Sequence, residues 1–324
     1  MKRFMALALL STALAGCASM APEHVRPEAA TAPAFDPEYR PDGEVVASEL
    51  SYREWFTDPR LVGLIGNALE NNRDLLAATA RIEQARARYR IQDSRRLPMV
   101  VANGSATRSR QPLGANSAVN AGDVEGAPAS ITSNRFEVGV GVSAFELDFW
   151  GRIASLSEQA RAQYLATVAA QRAFYLSLIA DTATTYYEIV ETEEQIALAE
   201  ATAQSRREGL RIAKLRLDAG GTSALPSRQA ETLLTQAEQQ LANEKLSLAQ
   251  LRNQLAVLVG GTVPEGLPEG GTLAEQGDKR RLAAGLPSDL LLVRPDIIAA
   301  EEQLRAARAN IGAARAAFFP TISL

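Results

Sequence analysis

From Ser155 to Ala219 the chain runs for roughly 65 residues without a proline, and its composition is helical throughout, which amounts to about 97 Å at a rise of 1.5 Å per residue. Few globular domains hold a helix of that length. Stepping by sevens from Val168 meets Tyr175, Thr182, Ile189, Ile196, Ala203, Leu210 and Leu217, all apolar except Thr182. Such a column is a packing seam for a coiled-coil-like partner. A lone helix held by charge pairs would not need it.

The partner follows directly. Gly220-Gly221 stops the helix, because glycine suits the left-handed position just past a helix end. The stretch "TSALPSRQAE" starts another, with Pro226 near its first turn and Ser223 or Ser227 as caps. Leu233, Leu234, Ala237, Leu241, Leu248, Leu251, Leu255 and Leu258 carry it to about Val259. Residues 151–259 therefore read as a long helical hairpin with its tip at 218–226.

The opening "MKRFMALALLSTALAGC" has two basic residues, an apolar run and then small residues, as a secretory signal does, and is too short to span a membrane as a helix. Leu14-Ala15-Gly16-Cys17 has the form of a bacterial lipobox. This predicts a signal peptide over 1–16, cleavage before Cys17 and acylation of Cys17, the single cysteine of the chain. An ordinary signal with an incidental cysteine is the alternative. Ala18 and Ser19 lack the Asp that would suggest retention at the inner membrane. More than one acyl chain would anchor the protein firmly. Residues 17–55 read as an extended tether, with five prolines between Pro22 and Pro41. No later stretch reaches the roughly 18 apolar residues of a membrane helix.

Residues 56–97 read as two helices. Thr57 or Asp58 caps the first, Pro59 opens it, and Leu61, Leu64, Ile65, Ala68 and Leu69 share a face. The polar "ENNRD" interrupts before a second run from Asp74 to about Arg96, and Pro98 ends it. Over 98–150 the pattern changes to strand. Pro98 to Arg110 alternates poorly, 111–133 is rich in loop residues, and Arg135 to Phe149 alternates clearly. Phe136, Val138, Val140, Val142 and Ala144 point one way; Glu137, Gly139, Gly141 and Ser143 point the other. After Ala144 the phase switches, as a bulge or a change of surroundings would produce. Alternation alone fits either an outer-membrane β-hairpin or an exposed ribbon; the export signal favours the membrane. Phe145, Phe149 and Trp150 suit either an interfacial aromatic girdle or packing at the strand–helix junction. Residues 260–287 read as a linker and 288–319 as helix.

Composition removes several classes of function. One cysteine permits no internal disulfide, and one histidine, His24, rules out a Cys/His zinc cluster. No Ser/His/Asp set and no nucleotide-binding loop is present; Gly139-Val140-Gly141 lacks a third glycine and lies inside the strand. A formal charge of −4 argues against a nucleic-acid partner. Arg86, Arg88, Arg90, Arg95 and Arg96 read as a solvated helix face in preference to a phosphate site.

The chain repeats itself. With Asp74 laid on Asp296, a shift of 222, "DLLAATARIEQARARYRIQDSRRLP" covers "DIIAAEEQLRAARANIGAARAAFFP" without a gap. Asp74/Asp296, Ala77/Ala299, Ala78/Ala300, Ala85/Ala307, Arg86/Arg308, Ala87/Ala309 and Pro98/Pro320 are identical. The implied unit is helix, strand, loop, strand, long helical hairpin and linker. Residues 320–324 would begin the first strand of the second copy. A 324-residue form is then expected to be truncated, to lack the second membrane hairpin, and neither to close a barrel nor to conduct.

These stretches carry a resemblance to the TolC-like outer membrane factors, in the lipoprotein (NodT-type) branch serving resistance-nodulation-division efflux systems. The segments are "WFTDPRLVGLIGNALENNRDLLAATARIEQARA", "FELDFWGRIASLSEQARAQYLATVAAQR", "LRLDAGGTSALPSRQAE" and "GLPSDLLLVRPDIIAAEEQLRAARANIGAARAAFFPTISL". The resemblance implies an α+β membrane protein in the outer membrane, lipid-anchored with its helices in the periplasm. It implies a homotrimer whose subunits each give four strands to one twelve-stranded barrel. It also implies a periplasmic adaptor (membrane fusion) protein docked at the tip, around Leu217, Asp218, Gly220, Gly221, Ser223 and Leu225, and an inner-membrane transporter that drives the substrate. Asp218 becomes a candidate for a charged aperture, against the plainer reading of a solvated turn residue. No cofactor beyond the lipid on Cys17, no metal and no catalytic residue is implied. The expected function is a passive exit duct for drugs or other small toxic compounds. The alternatives are a type I secretion duct, a periplasmic coiled-coil scaffold or adaptor lipoprotein without a channel, and, weakest, a lipid-anchored enzyme using His24.

Overall fold

The computed structural model describes residues 20–23, 25, 45–46, 50–112, 130–143, 145–276, 282–283 and 292–323. Cys17, His24, Ala144 and the loop residues 113–129 lie outside them. The chain divides into two compact units: 1–24, 87–161 and 305–324 form the first, and 25–86 with 162–304 the second.

The second unit is built on the long helices. Helix α4 spans Arg152–Asp218, of which 162–218 belong here, and α5 spans Ala224–Leu258. The seven-residue column lies largely against other residues: Thr182, Ile189, Ala203 and Leu210 are buried, and Val168, Ile196 and Leu217 are half-buried. Tyr175 is exposed. Thr182, the polar exception, is tolerated because its hydroxyl donates to Leu178 O within the helix, at 2.7 Å. Three ion pairs bridge the helices: Glu193–Arg252 at 2.7 Å, Glu200–Lys245 at 2.8 Å and Arg207–Glu238 at 2.8 Å. Each step of seven forward on α4 is a step of seven back on α5, which is an antiparallel heptad register. All six side chains are exposed, so each pair adds about 0.2–1 kcal/mol and chiefly fixes alignment.

Helix α2 (Pro59–Asn71) lays Leu61, Leu64, Ile65 and Ala68 on Leu178, Ala183, Tyr186 and Ile189 of α4 and Leu255 of α5. The break expected around Asn71 falls at Asn72. Its backbone N–H donates to Ala68 O at 2.9 Å, its Oδ1 accepts Leu75 N–H at 2.9 Å, and its Nδ2 donates to Leu258 O at 2.9 Å. One side chain thus caps helix α3 (Arg73–Ser94) and ties it to the end of α5. Asp58 does more. Its Oδ1 caps α2 through Arg60 N–H at 2.8 Å and Leu61 N–H at 3.3 Å. Its Oδ2 accepts from Tyr186 Oη at 2.7 Å, Gln276 Nε2 at 2.6 Å and Gly271 N–H at 3.2 Å. Buried to 5% exposure, Asp58 joins α2, α4 and the segment after α5.

The stretch taken as tether and linker holds more structure than expected. A short helix α1 (Tyr52–Trp55) is started by Ser51, whose N–H and hydroxyl both donate to Glu54, at 3.0 and 2.8 Å. This is the Ser-x-x-Glu signal of a helix start, present in "SYRE". Val45–Val46 (β1) pairs in parallel with Leu282–Ala283 (β5).

In the first unit, β2 (Met99–Pro112) and β3 (Ser130–Ser143) form an antiparallel hairpin. Glu146–Leu147 (β4) pairs with Ile322–Ser323 (β6). The strand expected over Arg135–Phe149 is thus two strands, parted where the phase switches, and the hairpin extends past both expected loop borders. Helix α6 (Pro295–Ala316) has Pro295 at its first turn, Leu292 and Val293 before it are also helical, and residues 288–291 of the expected helix lie outside the described residues. Helices α3 and α6 are both 22 residues long, and both their ends differ by the shift of 222.

Burial, and then the hydrogen bond to Asp58, raises the pKa of Tyr186 above the ordinary tyrosine value. A raised folded pKa gives stability that is complete below the unfolded value near 10 and lost as pH rises beyond it. Tyr186→Phe is expected to cost about 1–2 kcal/mol at pH 8 and to flatten the fall in stability above pH 10. Unfolding followed by circular dichroism at pH 8 and pH 11 checks both.

Candidate functional site

Fourteen consecutive pairs, from Met99↔Ser143 to Pro112↔Ser130, set the hairpin register. Even-numbered residues share one face. There Val142 stands opposite Val100, Val140 opposite Ala102, Val138 opposite Gly104 and Phe136 opposite Ala106. Val138 is 92% exposed and Phe136 76%; Val140 and Val142 are exposed too. Leaving these four large side chains in water forgoes roughly 6 kcal/mol or more, at ~1.5 kcal/mol each. The stripe covers about 20 Å from Val100 to Ala106, of the order of the ~25 Å apolar band of an outer-membrane barrel. Past Phe136 the same face turns polar, with Arg108 opposite Asn134 and Arg110 opposite Thr132.

The other face is polar along most of its length. Ser105 stands opposite Glu137, Asn103 opposite Gly139, Thr107 opposite Arg135 and Ser109 opposite Ser133. Arg135 Nε meets Glu137 Oε1 at 2.5 Å, and the Ser109 and Ser133 hydroxyls are 2.8 Å apart. The hairpin is two-stranded among the described residues, so the outward edge of each strand keeps free backbone donors and acceptors.

Where strands meet helices the packing is specific. Trp150 stacks on Phe319 with ring centroids 4.5 Å apart and donates from Nε1 to Pro320 O at 3.1 Å. Arg152 grips both carboxylate oxygens of Glu146, and Asp148 Oδ2 accepts Ala154 N–H at 2.7 Å at the start of α4. Phe145 lines a cavity of about 620 Å³ with Leu97, Pro98 and Met99. Trp150 and Phe145 therefore pack in the junction, while Phe149 is exposed.

The helical tip gathers the other expected site residues. Asp218 closes α4, and Gly220 (φ 71°) takes the left-handed position that a Cβ would strain. Gly220 N–H donates to Leu217 O and Gly221 N–H to Arg216 O, both at 2.9 Å, capping the last carbonyls. Ser223 occupies the N-cap position of α5 without a side-chain cap bond, and Leu225 is 63% exposed. Leu217 is half-buried. The Asp218 side chain is exposed, with no side-chain hydrogen bond or ion pair among the described residues. Cys17 and Ala144 lie outside the described residues. No group of three His, Cys, Asp or Glu suited to a metal occurs among the described residues. Sequence reading missed the β2 half of the stripe, because Ala102, Gly104 and Ala106 alternate too weakly to register. It also missed the role of Asp58 beyond capping, whose partners stand far along the chain.

The Outer membrane efflux protein family matches residues 64–261 and 286–324, which include the helical hairpin and the second-repeat helix. The chain belongs to this family. The solvent efflux pump outer membrane protein SrpC of Pseudomonas putida is 41% identical over 329 residues, covering 99% of this chain and 67% of that protein. The cation efflux system protein CusC of Escherichia coli K12 is 36% identical over 320 residues, covering 97% and 66%. Among solved structures, the open state of the Neisseria gonorrhoeae MtrE outer membrane channel superposes with a TM-score of 0.76 at 37% identity, covering 94% of this chain and 65% of that one. The chain thus spans about two thirds of the length of these relatives. The fold is that of outer-membrane channel proteins, mostly helical with antiparallel strands, and the outer membrane is where members of the family reside. No helix of the described residues is long and apolar enough to cross a membrane.

Val138→Arg, in the middle of the stripe, is expected to cost insertion about 2–4 kcal/mol, read as protein washed out of the membrane fraction by urea. Ser105→Arg, on the other face opposite Glu137, should stay in the membrane like the parent.

Proposed function

We propose that the protein is a passive outer-membrane exit duct of a tripartite efflux pump, passing small toxic compounds delivered by an inner-membrane transporter. The observation that carries this reading is the two-faced hairpin, an apolar stripe backed by a polar face on an exported chain. A scaffold confined to the periplasm would gain nothing from Phe136, Val138, Val140 and Val142 in that arrangement. In this reading the stripe faces lipid and Ser105, Asn103 and Glu137 face the water-filled lumen. Closure of the barrel is shared by three copies, each giving this hairpin and the second one that the repeat implies, four strands per copy and twelve in all. Cys17 carries the lipid, and the transporter is of the resistance-nodulation-division type. The tip at Leu217, Asp218, Gly220, Gly221, Ser223 and Leu225 receives the periplasmic adaptor, with Asp218 at the narrow end of the passage. The duct does no chemistry and needs no cofactor beyond its lipid; selection lies with the transporter. Relatives named for solvent and cation efflux support a small-molecule cargo over a secreted protein.

The test is to plug the passage. In cells making the native protein, Ser105→Cys is derivatised with a bulky, membrane-impermeant thiol reagent and export of a hydrophobic dye is followed. Efflux is expected to fall several-fold, while Val138→Cys under the same treatment should leave it unchanged. Undiminished efflux from cells in which mass spectrometry confirms the adduct at Ser105→Cys would contradict a duct.

A further inference from the structure

Three residues on one face of α6 touch the extended segment just after Cys17. Arg315 Nη1 donates to Met20 O at 3.3 Å, and Arg308 Nη1 donates to Glu23 O at 3.1 Å. Between them lies Gly312, where a Cβ would come within 2.7 Å of Ala21 N and 2.8 Å of its Cα and Cβ. Spacings of four and three residues put Arg308, Gly312 and Arg315 in line along the helix. Two guanidinium groups hold carbonyls at either end, and the missing side chain lets the backbone lie flush in the middle. Both of these bonds go to main-chain carbonyls, so the seat reads the peptide backbone.

The repeat provides a comparison inside the same molecule. At the shift of 222, Arg308 corresponds to Arg86, Gly312 to Arg90 and Arg315 to Asp93. Asp93 accepts from Ser157 Oγ at 2.7 Å and pairs with Arg96 at 3.5 Å, and Arg86 pairs with Glu83 at 3.8 Å. The two helices agree in both bounds yet differ at two of the three positions that make the seat. On α3 the position of Gly312 carries an arginine, Arg90, and the second cation is replaced by an anion, Asp93.

We infer that Arg308, Gly312 and Arg315 form a clasp that seats the chain's own tether, Met20–Glu23, on α6. The clasp begins three residues after Cys17, a contour of at most about 11 Å. At its other end Arg315 lies in the last turn of α6, next to its final residue Ala316, just ahead of β6. A lipid on Cys17 is thereby leashed to the entry of the strand region, instead of swinging on the whole proline-rich segment. That consequence rests on acylation of Cys17 proposed above; the clasp itself does not.

The full chain, processed in cells, carries Ala21→Cys with Gly312→Cys, or Ala21→Cys with Arg90→Cys as the repeat-matched control. The first pair is expected to form an intrachain disulfide at least about tenfold faster, since a small retreat of the backbone brings the Cβ atoms to bonding distance. Because Gly312→Cys itself crowds the groove, a second variant keeps Gly312 and replaces Arg308→Ala with Arg315→Ala. Cleavage after Glu23 by a glutamyl endopeptidase should then rise on the order of tenfold, as a charge-assisted bond of ~1.5 kcal/mol implies. Equal cross-linking of the two cysteine pairs, disulfides only between chains, or unchanged cleavage of the arginine variant would overturn the clasp. Palmitate labelling of the parent chain reports separately on Cys17, so loss of the lipid reading and loss of the clasp give different results.

Discussion

A strand inside hydrocarbon cannot leave a backbone N–H or C=O unpaired, because no water is there to take its place and each orphan costs several kcal/mol. The hairpin of this protein satisfies its inner edges through fourteen pairs and leaves its two outer edges open. Its side chains are apolar and exposed on one face and mostly polar on the other. Both facts demand neighbouring strands that complete a closed wall, which is why the proposal is an assembled barrel and not a lone hairpin in the bilayer. The junction serves the same end. Trp150 on Phe319, and β4 paired with β6, hold the start of the second-repeat strand beside the end of the first hairpin.

The helical unit answers a different demand. A helix of 67 residues has far more surface than a small core can cover, so it needs a partner aligned along its length. The heptad column gives that alignment its apolar seam, and Glu193–Arg252, Glu200–Lys245 and Arg207–Glu238 hold its register. Asp58 then locks the shorter helix and the segment after α5 to this pair through five bonds to one carboxylate. Individually weak surface pairs and one buried hub divide the work, the first setting register and the second fixing position.

Much of this was legible in the sequence because its signals are periodic. The proline-free run, the sevens from Val168 and the double glycine placed α4, the tip and α5 within a few residues. The repeat predicted that α6 would copy α3, and both bounds do. The weaker readings failed for identifiable reasons. Small residues on β2 muted its alternation, so the hairpin looked shorter than it is. The loop composition from Gln111 hid the strand ends at Pro112 and Ser130. The Ser51–Glu54 start was written in four residues and overlooked beside the prolines. Asp58 and the α6 clasp depend on partners far away along the chain, which no local pattern reveals.

The central claim is that the hairpin presents one face to lipid and the other to water. Tryptophan placed singly at 136, 137, 138, 140 and 141, with Trp55 and Trp150 changed to Phe, can be read in vesicles whose acyl chains carry bromine. The account predicts strong quenching at 136, 138 and 140 and little at 137 and 141, a period of two. Uniform quenching, or none at any position in membrane-inserted protein, would contradict it.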